Sequence, residues 1–145
     1  MKKIQALTQF VTRNLNMQLL IALSQSPESS SRSQSPYALG YIFGFVSGGF
    51  DSFQLRQKGD QFDVLIDVYE HVFEMEGADY LNQSLHLNWN DAFRQGNQCG
   101  WEEMKRLLHR KESAIGLVRY LIHGEVTTAM NPDMSAHNAA LAYAG

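Results

Sequence analysis

The chain has 145 residues, 44% apolar and 19% charged, with a formal charge of −3. Those values fit one soluble globular domain long enough to bury a core, and the acidic balance argues against a general nucleic-acid binder. A lone cysteine, Cys99, excludes an internal disulfide and fits a reducing compartment, so a cytoplasmic location is expected.

Ile4, Leu7, Val11, Leu15, Leu19 and Ala22 recur at helical spacing, which predicts an amphipathic helix over residues 1–24. Lys2 and Lys3 followed by the apolar stretch at 17–23 loosely resemble a secretion signal. The stretch is very short and follows Arg13, so the helical reading explains more. Residues 25–35 are rich in serine and lack apolar anchors, which predicts a flexible linker to a helical core domain over 36–145. Whether the first helix packs on its own core or swaps onto a neighbour is left open by such a linker.

Residues 37–50, YALGYIFGFVSGGF, carry no charge, and Gly40, Gly44 and Gly48 recur every four residues. On a helix that spacing aligns the glycines on one face. Each costs about 1 kcal/mol relative to alanine, so close approach of another backbone is the expected compensation. Ser35 and Pro36 suit a helix start, and the pattern reads as a helix over 36–57 rather than a strand pair. The run is too short to span a membrane and ends in Asp51, Arg56 and Lys58. A helix apolar on nearly all sides is either central or a homodimer seam, with Gly40, Gly44, Gly48, Tyr41 and Phe45 as the expected interface.

Further helices are expected over 61–76, 78–95, 101–111 and from Ser113 to Gly124, with breaks at Gly77 and at GNQCG, 96–100. Short connections favour antiparallel neighbours. A turn at Asn131-Pro132-Asp133 and a short alanine-rich helix over 135–145 complete the expectation. The predicted architecture is an all-α compact bundle of five to seven helices around a buried glycine-rich helix.

Charge is unevenly placed. No lysine or arginine lies between Lys58 and Arg94, and Asp60, Asp63, Asp67, Glu70 and Glu74 step along one helical face. From Arg94 to Arg119 basic residues predominate. The acidic stripe reads first as a solvated face, then as a surface for a basic protein partner or for the basic helix of the same chain.

Chemistry-bearing motifs are sparse. Asp67, Glu70, His71 and Glu74 are the best candidate metal ligands, but the Glu-x-x-His pairs of helical di-iron sites are missing. His86, His109, His123 and His137 have no ligand spacing. Cys99 precedes an expected helix start, where a thiol can be activated, yet a small buried hydrophobe is the simpler role. No phosphate loop, dinucleotide loop or serine-nucleophile elbow occurs. The sequence therefore favours a non-enzymatic, self-associating interaction module without cofactor, nucleic acid or membrane. The reading from another class is a metal- or small-molecule-binding enzyme within a helical bundle.

Overall fold

A computed structural model describes residues 2–55, 57–74 and 76–124. The described residues form six α-helices in the order α1 (Lys2–Gln25), α2 (Pro36–Ser52), α3 (Lys58–Phe73), α4 (Gly77–His86), α5 (Asp91–Arg110) and α6 (Gly116–His123). A 3-10 helix, Pro27–Arg32, links α1 to α2. No described residue lies in a strand, and the expected helical bundle with a buried glycine-rich helix is what forms. The turn at 131–133 and the helix at 135–145 lie outside the described residues.

α2 is the central element. Ser35 caps its N-terminus, accepting a hydrogen bond from the Ala38 amide, and Pro36 begins its first turn. Tyr37 to Ile42, Gly44 to Val46 and Gly48 to Phe50 are buried on every side. Tyr, Ile, Phe and Val favour strands in isolation, but burial all round and a good cap decide for helix here. The helix stops at Ser52, five residues earlier than residue 57, because Gln54 takes a left-handed conformation (φ 59°).

α5 runs beside α2 in parallel. A Cβ at Gly40 would collide with the carbonyl of Phe93, and one at Gly44 with the carbonyl of Asn97. At Gly48 it would sit 2.7 Å from the carbonyl oxygen of Trp101. From the other side, Gly96 lies against the carbonyl of Tyr37 and Gly100 against that of Tyr41. Each step of four on α2 is thus matched by a step of four on α5, a reciprocal glycine contact that brings two backbones together. Antiparallel packing was expected of neighbours joined by short connections after residue 36, and α2 and α5 are not joined by one. The parallel α2–α5 pair is possible because α3 and α4 form the return path between them.

That contact also corrects the chain reading of residues 78–110. GNQCG is not a break: α5 passes through Gly96 and Gly100 without interruption. The interruption falls earlier, at Leu87–Asn90, where Asn90 caps α5 by accepting from the Phe93 amide at 3.0 Å. Gly77 likewise is not a helix stop but the first residue of α4, packed against the Ile66 carbonyl of α3. Glu74, left-handed at φ 55°, ends α3 instead.

α1 lies on its own chain's core, burying Leu7, Val11, Leu15 and Ala22. The 3-10 helix folds between α1 and α6, and Arg32 donates to the carbonyls of Leu121 (2.9 Å) and Ile122 (3.0 Å). A guanidinium there satisfies open carbonyls at the negative end of the α6 dipole. No described helix is long and apolar enough to cross a membrane.

Candidate functional site

Four features could carry function: a buried polar cluster beside the α2–α5 seam, a groove between α1 and α3, the acidic face of α3, and an apolar face of α1.

The polar cluster is built by four helices. Tyr41 of α2 donates its hydroxyl to Glu103 of α5 at 2.5 Å and accepts from the Gln18 side-chain amide of α1 at 3.1 Å. Glu103 also accepts from the Gly116 amide at 2.8 Å, so a side chain of α5 caps α6. Gln18 completes the set by accepting from the Val118 amide at 3.3 Å. α6 begins at Gly116, three residues after Ser113, where its helix was expected to start, and it is Glu103 that accepts from its first amide. Burial pushes the Tyr41 hydroxyl well above its usual range, with the Glu103 charge adding to it. Tyr41 is a neutral donor, and the cluster locks four helices in register.

Cys99 sits at the edge of this cluster, buried, in the neighbourhood of Tyr37 and Glu103. It lies in the middle of α5 rather than before a helix start, so no helix N-terminus activates it. Burial, then the Glu103 charge, raise its thiol from 9.0 to about 12. A group raised on folding stabilises fully below its unfolded pKa of 9.0, and that contribution falls away as pH rises toward about 12. At pH near 8, a disulfide-exchange reagent should label Cys99 only in denaturant. Stoichiometric labelling of native protein within minutes would show an accessible, activated thiol.

Of the expected stripe, Asp63, Asp67 and Glu70 form one exposed face of α3, Asp60 is half-buried, and Glu74 is exposed at the left-handed residue just past the helix. Lys105 and Arg106 of α5 pair elsewhere. Lys105 pairs with Asp51 at 2.7 Å while lying 4.0 Å over the Trp101 ring, and Arg106 pairs with Glu102 at 3.2 Å. His71 turns Nδ1 to the Asp67 carbonyl of its own helix at 2.7 Å. Among the described residues no group of three or more His, Cys, Asp or Glu side chains is placed to hold a metal ion, the set Asp67, Glu70, His71 and Glu74 included.

Between α1 and α3 runs an open groove of about 570 Å³. Gln5, Thr8, Gln9, Thr12 and Arg13 line one wall and Asp63, Asp67 and His71 the other. Thr8 bonds back to the Ile4 carbonyl, whereas the Thr12 hydroxyl is shielded and has no partner.

A comparison with protein-family models, with curated proteins and with solved structures finds no match for this chain.

The last feature is the second half of α1. Met17 (55% exposed), Leu20 (68%), Ile21 (40%) and Leu23 (45%) face outward, although the same helix buries Leu15 and Ala22 on its inner side. The sequence expectation concerned only that inner face, and the apolar content of 17–23 signalled the outer one. A second exposed aromatic, Trp89 (80%), stands in the turn between α4 and α5. It falls within the helix expected over 78–95, and the Leu87–Asn90 turn leaves it in solvent.

The glycine ladder, with Tyr41 and Phe45, was the expected interface between copies. Those residues pack against α5 of the same chain.

Proposed function

We propose that this protein is a non-enzymatic interaction module that self-associates. The observation that carries the reading is the cluster Met17, Leu20, Ile21 and Leu23, four large apolar side chains left in solvent on one helix whose other face is fully engaged. Contiguous exposed apolar patches mark contact sites, whereas single exposed apolar residues are ordinary. The acidic face of α3 supplies a second surface, for a basic protein partner, since its carboxylates are exposed while Lys105 and Arg106 hold Asp51 and Glu102 instead. Light scattering on the eluting protein checks the first claim. A mass near twice 16.4 kDa at high concentration is expected, falling toward 16.4 kDa on dilution. Leu20→Glu should hold the protein at the monomer mass while leaving its melting unchanged, since Leu20 is the most exposed of the four.

A second reading rests on the α1–α3 groove, whose volume suits a small ligand and whose walls carry Arg13 on one side and Asp63 and Asp67 on the other. It predicts a raised melting temperature with a ligand bearing both a cationic and an anionic group. A panel of amino acids and divalent ions that leaves the melting curve unmoved contradicts it.

A further inference from the structure

We infer that the contact between copies is an antiparallel, two-fold pairing of α1 with α1, closed at each end by Arg13 of one chain against Glu28 of the other. The inference rests on the proposed self-association and names its occupant, a second copy of this chain.

Charge layout selects that occupant. Between Arg13 and Glu28 the sequence NLNMQLLIALSQSP carries no charge. A two-fold contact brings a patch against itself, so a patch with net charge repels its own copy. The acidic face of α3 would do so; the face of α1 does not. A charged partner, conversely, would find nothing on this stretch to complement it.

The boundaries then fix the direction. Arg13, Met17, Leu20 and Ser24 follow one another at steps of three and four along one ridge. From Arg13 to Gln25 the helix axis rises about 18 Å. Glu28 lies just past that end, exposed, in the first turn of the 3-10 helix. Arg13 is also exposed, and neither residue forms an ion pair with another described residue. In an antiparallel pairing centred between Leu20 and Ile21, the Arg13 end of the uncharged stretch of one helix meets the end of the other from which the 3-10 helix and Glu28 lead off. Opposite charges then meet at both ends. A parallel pairing would set arginine on arginine and glutamate on glutamate.

The size of the face sets the strength. Stable dimers bury about 800 Å² on each partner, more than four side chains and two ion pairs supply. A concentration-dependent dimer with a dissociation constant of the order of micromolar is expected.

Sedimentation equilibrium of the wild type, Arg13→Glu, Glu28→Arg and the double exchange tests the pairing, with melting followed by circular dichroism to confirm folding. Each single change places like charges at both ends and should weaken the dimer about tenfold. The double exchange restores opposite charges in trans and should return the constant to within about threefold of wild type. A double variant as weak as the singles overturns the pairing. A wild type that dimerises regardless of all three changes overturns this seam but leaves self-association standing. A wild type that stays monomeric at every concentration removes the proposed function itself.

Discussion

Gly44→Leu should lower the stability of the protein sharply. Even a Cβ at this position meets the carbonyl of Asn97, a backbone atom that no rotamer change can move aside. The leucine would drive α2 from α5 along the whole glycine register, from the Gly40–Phe93 level to the Gly48–Trp101 level. Overpacking in a core costs about 1–3 kcal/mol when side chains can give way. Here backbone must move, so the loss should be at least about 3 kcal/mol, a large share of the 5–15 kcal/mol typical of a whole domain. Gly100→Leu should behave alike, since Gly100 lies against Tyr41 from the opposite side. Gly59→Ala is the contrast: nothing stands within 4 Å of its Cβ position in the first turn of α3. That change should be neutral or stabilise by up to about 1 kcal/mol. Chemical denaturation of the three variants checks the ranking. A Gly44→Leu midpoint equal to wild type would mean that α2 and α5 are not in backbone contact.

Glu103→Ala should cost about 2–4 kcal/mol. Two donors lose their acceptor at once: the Tyr41 hydroxyl, inside the core, and the amide that opens α6. A buried donor left unsatisfied is penalised by its full desolvation, and the α6 amide cannot turn to another partner without unwinding the helix. Glu103→Gln keeps one acceptor oxygen and should recover a good part of the loss. Tyr41→Phe removes the other end of the bond, so the pair should couple by 0.5–3 kcal/mol in a double-mutant cycle, about the range for residues in direct contact. Additive losses would show that the Tyr41–Glu103 bond does not bind α2 to α5.

Both predictions rest on residues whose partners the sequence only half disclosed. The ladder in 36–52 was legible because its cost demanded a compensating neighbour. The neighbour was not, because Gly96 and Gly100 read as punctuation. The same spacing of four on a second helix was the available signal: a glycine is either a stop or a packing surface, and a matched period elsewhere in the chain favours packing. Gly77 was misjudged on the same ground. The inner face of α1 was fixed by its repeat of apolar residues. Its outer face escaped notice because a helix that shows Met17, Leu20, Ile21 and Leu23 to solvent differs from a buried one only in what lies beside it. Glu103 had no local signal, since its role depends on Tyr41 and Gly116, far away in sequence and brought together by the parallel pairing.

Isotope-filtered NOE spectroscopy on an equal mixture of carbon-13-labelled and unlabelled protein tests most directly where copies meet. Contacts between the methyl groups of Met17, Leu20 and Ile21 and α1 of the other copy are expected, while the α protons of Gly40, Gly44, Gly96 and Gly100 show contacts within one chain alone. Inter-copy contacts at those glycines, with none on α1, would place the seam on the ladder and contradict the assignment made here.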